Sequence, residues 1–160
     1  MEPRLLDIFV ESVRTVVGAF GLAPLAIGEV SLVSSHRIEG AVVSCISLGG
    51  DTTTGNMVVS FESETALELA AMMLGEPQTE LSEDVLSVVG EVTNMVCGDA
   101  KRRLGELGIS VGMARPTVLP RGAYAPAIQG DGEVVFFPCA SPGGPFYVSI
   151  DFGLTSSRKG

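Results

Sequence analysis

The sequence predicts an α+β domain of two layers, three helices packed on a largely antiparallel sheet, with an internal pseudo-repeat. Three observations carry this prediction. Stretches with apolar residues three and four apart alternate with β-branched runs; the closing run Phe146 to Phe152 alternates with a period of two; and the order helix, irregular passage, strand, glycine-turned hairpin occurs twice. The expected organisation is one domain over 1–160, with half-repeats at about 4–61 and 82–153, a helix over 63–74 between them, and a frayed tail at 155–160.

The first helix spans Arg4 to Ala19, where Leu5, Phe9, Val13, Val16, Val17 and Phe20 recur at helical spacing behind Pro3, a good first-turn residue. Past Gly21 and Pro24 the texture becomes β-branched. Strands are expected over Glu29–Ser34, Ile38–Leu48 and Asn56–Phe61, the latter two a hairpin turned at Gly49-Gly50-Asp51. Ser63 is positioned to cap a helix that carries Ala66, Leu67, Ala70, Met73 and Leu74 inward and stops at Gly75. Ser82 caps the third, with Glu83 and Asp84 in its first turn and an end near Leu107. Strands follow at Pro116–Leu119, Gly122–Ile128, Glu133–Cys139 and Phe146–Phe152, the last two flanking the Ser141-Pro142-Gly143-Gly144 turn. In the last strand Phe146, Val148, Ile150 and Phe152 share one face and Tyr147, Ser149 and Asp151 the other, as in a sheet covered by helices on one side.

Composition narrows the function. Hydrophobic residues are 46% and charged residues 18%, against a usual charged share of about 25%, so the chain buries a sizeable core and retains surface suited to another protein or a second copy of itself. A net charge of −9 with ten scattered Lys and Arg residues argues against nucleic acid as a partner. Charges recur through the first apolar run, so it reads neither as a signal peptide nor as a membrane span. Cys45, Cys97 and Cys139 are odd in number and lack C-x-x-C spacing, which suits a reducing cytoplasm. Cys97 falls at the edge of an apolar helix side and reads as a small hydrophobe; Met57, Met72, Met73 and Met95 read as core.

The third helix carries the candidate site. At about 100° per residue, Val85, Val88, Val89, Val92, Met95 and Val96 gather on one side, and Ser87, Gly90, Glu91, Asn94, Gly98 and Lys101 on the other. Two internal glycines cost roughly 1 kcal/mol each against alanine, so close approach of another surface is the simplest reason for them. Glu91 and Asn94, three apart, present a carboxylate beside a carboxamide, a pair able to grip a cation and hold a water. The bare spacing arises by chance in roughly one chain in three of this length. Context strengthens it: the chain has two asparagines, and Asn94 stands mid-helix, where its propensity is poor.

The string Glu91-Val92-Thr93-Asn94-Met95-Val96-Cys97-Gly98-Asp99-Ala100-Lys101, with Pro116-Thr117-Val118 downstream, resembles the signature of the CheC/CheX family of chemotaxis phosphatases, and the element order resembles a CheX-like protein over nearly the whole chain. The resemblance implies hydrolysis of the aspartyl phosphate on a CheY-type response regulator. The receiver would contribute the phosphorylated Asp and Mg2+, with no cofactor on this chain; Asn94 would orient the attacking water, and Glu91 would pair with a receiver lysine. Ser87, Gly90, Gly98 and Lys101 are the expected partner-binding rim. The resemblance also implies a homodimer.

CheC-like members have two Glu-x-x-Asn helices. Laying Phe9–Gly18 over Val89–Gly98 without a gap sets Glu11 on Glu91 and Arg14 on Asn94. An arginine fork cannot accept a hydrogen bond from water, so Glu11 and Arg14 form a degenerate second site. Two alternatives remain open: a non-catalytic module that docks a receiver or other signalling domain, and self-association through the Gly90 and Gly98 face. Other chemistry has little support. His36 is the single histidine, reads as a surface or turn residue and lacks a nucleophile motif; Asp84 and Glu91 lack a third ligand for a metal; the 49–55 loop joins two strands and lacks the ending of a phosphate cradle.

Overall fold

Helix α1 (Pro3–Ala19) buries Leu5, Phe9, Ser12, Val13, Val16 and Val17 along one stripe and starts at Pro3, as its spacing predicts. In the computed structural model, which describes residues 2–34, 36–50, 53–120 and 134–154, the chain continues through β1 (Ala26–Ile27), β2 (Ser31–Val33), β3 (Val42–Gly49) and β4 (Thr53–Phe61) to α2 (Ser63–Leu74) and α3 (Glu83–Glu106). It then adds β5 (Gly112–Met113), β6 (Thr117–Pro120), β7 (Val134–Ser141), β8 (Gly144–Ile150) and β9 (Gly153–Leu154). The expected strand at Gly122–Ile128 and the tail at 155–160 lie outside the described residues.

The helix boundaries follow local chemistry. Ser82 Oγ accepts from the Val85 N–H at 3.3 Å and caps α3, with Glu83 and Asp84 in the first turn. Gly75 closes α2 with φ +78°, a conformation that favours glycine. Ser63 does not cap α2: Glu62 is the N-cap residue, Ser63 is the first helical one, and no side-chain hydrogen bond closes that end.

Nine strands among the described residues form one sheet, and every pairing is antiparallel. The order is β1-β7-β8-β4-β3-β5, with β2 also on β7, β6 also on β3, and β9 on β4. Exchanging β1 and β2 for β5 and β6, β3 for β7, and β4 for β8 maps this order onto itself. The helices obey the same exchange: the six buried residues of α1 fall, in the gapless register, on Val85, Val89, Val92, Thr93, Val96 and Cys97, all buried in α3.

The helices cover one face of the sheet, where Val42, Ile46, Met57, Val59, Phe61, Val135, Phe137, Phe146, Val148 and Ile150 form the core with them. The opposite face is also covered, which period-two alternation did not foretell. Residues 36–41 cross it as a strap over Val43, Cys45 and Val58, with Ile38 packed against them. The strap is tied by Glu39 N–H to Ser60 Oγ at 3.3 Å and Ala41 N–H to the Phe61 carbonyl at 2.8 Å, and the Arg37 guanidinium stacks 4.6 Å from the Phe136 ring centre.

His36 therefore is a buried residue of the strap, not a surface one. Its Nδ1 shares a 2.7 Å hydrogen bond with Ser149 Oγ, and Nε2 lies 3.4 Å from the Asp151 carboxylate. Ser149 is 1% exposed, so a substrate cannot reach its hydroxyl, and this Ser, His and Asp set latches the strap rather than forming a hydrolytic triad. The three cysteines are free and buried. Burial pushes the Cys97 thiol well up and Cys139 to about 12, so both stay protonated and packed.

Candidate functional site

The outward side of α3 is held in place from behind. Asp99 accepts from Arg103 Nε at 2.7 Å and from Arg102 at 3.0 Å, and Arg103 reaches across to Thr15 Oγ1 on α1 at 3.1 Å. Burial raises the Asp99 pKa, but hydrogen bonds from Arg103 and Arg102 outweigh it and hold the carboxyl below its ordinary 3.8. A carboxyl lowered on folding stabilises the native state above its unfolded pKa and loses that contribution as pH falls through the native value. Asp99→Asn should cost about 1 kcal/mol at neutral pH, and the difference from wild type should vanish at low pH, as thermal melts between about pH 6 and about pH 2 will register.

On this braced helix the predicted residues separate. Ser87, Glu91 and Lys101 are exposed, and Asn94 and Gly98 are half-buried. Neither Glu91 nor Asn94 has a hydrogen-bond or ion-pair partner among the described residues, so carboxylate and carboxamide meet solvent with their capacity unspent. Gly98 lies between them in azimuth; a Cβ there would meet nothing within 4 Å, leaving a shallow gap in the face.

Two expectations need correction. Gly90 is buried, and its absent side chain makes room for the same chain: a Cβ there would stand 3.0 Å from Val118 and 3.7 Å from Pro116, as β6 closes over that flank of α3. Its smallness therefore serves intramolecular packing. Met95 is 37% exposed rather than buried, and Met72 is exposed on α2; Met57 is core and Met73 packs partly buried against it. Met95 lies about 40° around the helix from Glu91. No described element covers that flank, so an apolar side chain stands beside the polar pair. The wheel grouped Met95 with the valines, but it stands at the margin of the buried stripe, about 40° from Glu91 and about 60° from Val92.

The first-half counterpart is arranged differently. Glu11 and Arg14 are both exposed, but Arg14 donates to the Leu25 carbonyl at 3.0 Å and so ties α1 to the segment before β1. Arg14→Ala should lower stability by about 0.5–1 kcal/mol, read by denaturant midpoint. Among the described residues no group of three or more His, Cys, Asp or Glu is gathered for a metal, and no helix is long and apolar enough to cross a membrane.

A two-layer domain whose two helix-and-hairpin halves exchange margins around a central β4–β8 pair, presenting a Glu-x-x-Asn face on one long helix, defines a CheC-like protein. The family model for the chemotaxis phosphatase CheX matches residues 42–140, and the chain belongs to the CheX family. It is 36% identical over 121 residues to the CheY-P phosphatase CheX of Thermotoga maritima, spanning 74% of this chain and 77% of that one. Its fold is similar to that of a CheC-like superfamily protein from a Shewanella species, strain PV-4, with a TM-score of 0.86, 31% identity and coverage of 96% and 99% of the two chains. It also resembles, at 21% identity and a TM-score of 0.78 over 92% of this chain and 96% of the other, the fold of a chain in the CheX–CheY–BeF3–Mg2+ complex from Borrelia burgdorferi.

Proposed function

We propose that this protein dephosphorylates the aspartyl phosphate of a CheY-type response regulator, with Asn94 orienting the attacking water and Glu91 fixing the register of the two proteins. One observation carries the assignment of residues: the family's Glu-x-x-Asn pair stands on an exposed helix face with neither side chain engaged by a described neighbour. The similarity to a CheY-P phosphatase at 36% identity supports the activity.

The chemistry asks little of this chain. Water oxygen attacks phosphorus in line, the bond from phosphorus to the receiver's aspartyl oxygen breaks, and the aspartate carboxylate and inorganic phosphate leave. Such a transfer is accelerated by positioning and charge neutralisation. Mg2+ on the receiver supplies charge. The Asn94 carboxamide can accept from the water with its oxygen and donate to a phosphoryl oxygen with its nitrogen, fixing the line of attack. Glu91, one turn earlier on the same face, is suited to an ion pair with a receiver cation. Nucleophilic help from this chain is not needed.

The reading also takes the two halves, about 4–61 and 82–153, as copies of one unit. The second copy kept the working pair, and the first turned its helix to packing through Arg14. A cytoplasmic homodimer goes with it. Ser87 and Gly98 form the rim near the pair, and Gly98→Ala is the informative rim change. Alanine there should raise helix stability by about 0.5–1 kcal/mol while filling the gap and raising KM for the receiver.

The deciding experiment follows the decay of a phosphorylated CheY-type receiver from the same genome, with Mg2+, with and without this protein. Acceleration is expected with wild type and equally with Arg14→Ala; with Glu91→Ala, KM should rise severalfold. Unchanged decay with wild type, accompanied by binding, would make α3 a docking face without catalysis.

A further inference from the structure

The chain carries a net charge of −9, yet the cations near α3 are not all spent on its own acids. Arg4 pairs with Glu2, Arg37 with Glu39, and Arg102 and Arg103 with Asp99, while Arg14 holds the Leu25 carbonyl. Lys101 and Arg115 are both exposed, and neither has a hydrogen-bond or ion-pair partner among the described residues.

These two sit on the same flank of the candidate site. Lys101 follows Asn94 by seven residues, two helical turns, which places it about 10.5 Å further along α3 and within about 20° of the same azimuth. Arg115 immediately precedes Pro116, which with Val118 packs over Gly90, the residue before Glu91 and about 40° beyond Asn94 in the same direction. The Met95 flank, on the other side of Glu91, carries no such free cation among the described residues. Among the described residues, these two free positive charges therefore bracket Asn94 from α3 and from the segment leading into β6.

We propose that Lys101 and Arg115 are positioning residues for the phosphatase reaction: they attract and orient the anionic phosphoryl-bearing rim of the receiver against Asn94. The inference rests on the function proposed above; it adds Arg115 and gives Lys101, already expected at the rim, a specific role. A phosphorylated aspartate among neighbouring carboxylates is strongly anionic, and a protein of charge −9 repels it at long range unless local cations oppose that field. Charges at the rim of an interface act chiefly on encounter and on register, with an effect that salt screens. They are not catalytic residues, and their loss should leave the bound reaction intact.

The test uses full-length protein and two readouts: steady-state dephosphorylation of the receiver, and binding to the same receiver activated with beryllofluoride and Mg2+. Lys101→Ala and Arg115→Ala should each raise KM and Kd about two- to fivefold, and the double variant roughly tenfold or more. kcat should stay within about twofold of wild type, and the salt dependence of kcat/KM should flatten. Arg115→Lys should recover most of the loss. If wild type hydrolyses but the double variant keeps its KM, Kd and salt slope, the bracket is wrong and the phosphatase reading survives. If wild type binds with this charge dependence without hydrolysing, the phosphatase reading fails and the role in the reaction falls with it, leaving Lys101 and Arg115 as docking residues only. Absence of both binding and hydrolysis overturns both.

Discussion

Asn94→Ala should abolish most of the acceleration of receiver dephosphorylation, about 10²–10³-fold in kcat, the scale seen when one positioned polar group is removed from a reacting centre. The protein should remain folded. Asn94 is half-buried, has no described partner, and stands in the middle of a 24-residue helix where alanine has the better propensity by roughly half a kcal/mol. Its thermal midpoint should therefore be unchanged or slightly raised, which separates lost chemistry from lost structure. Asn94→Asp tests the role further. Aspartate keeps the size and one acceptor but removes the N–H donors and sets a negative charge against the phosphoryl group, so it should be no better than alanine. Wild-type kcat in Asn94→Ala would remove the carboxamide from the mechanism and leave the helix as a docking surface.

What the sequence disclosed about this site was what a helix determines locally. Three- and four-residue spacing, the Ser82 cap and the Gly75 stop marked the helices, and the α3 wheel brought Ser87, Glu91, Asn94, Gly98 and Lys101 to one side. Contacts distant in sequence decided the remainder. The wheel placed Gly90 outward, but Pro116 and Val118 close over it from β6. It placed Met95 among the valines, but no described element covers that flank, and the side chain meets solvent. The alternation of Tyr147, Ser149 and Asp151 marked a second sheet face correctly, and the strap that buries Ser149 through His36 comes from over a hundred residues earlier. Short edge strands were hardest to see: β5 has two residues, and its partner is β3. Glu91 and Asn94 were more legible because residues three apart on one helix share a face whatever packs elsewhere.

Phe9→Ala should be the most damaging single change outside the site, costing about 3–5 kcal/mol of stability. Phe9 is fully buried in α1, and its ring lies 5.5 Å from that of Phe152 at an interplanar angle of 60°. Through this contact the helix layer grips the end of the sheet where β8 gives way to β9. Removing the ring forfeits its transfer energy and leaves a cavity between layers that helices anchored elsewhere cannot collapse to fill. Since a domain of this kind is held by only about 5–15 kcal/mol in all, a large part of the reserve goes with one side chain. The functional consequence differs in kind from that of Asn94→Ala. α1 packs against α3 and is tied to it through Arg103 and Thr15, so weakening α1 loosens the helix that presents Glu91 and Asn94 without altering either residue. Phe9→Ala should therefore show near wild-type kcat at low temperature and lose activity as it is warmed, in step with its lowered melting transition. Val89→Ala, the counterpart in the same register of α3, removes less volume and should cost about half as much. A temperature series of activity beside circular dichroism distinguishes the two cases: activity lost while the Phe9→Ala protein is still fully folded would mean that the Phe9 contact sets the geometry of the Glu91 and Asn94 face as well as its stability.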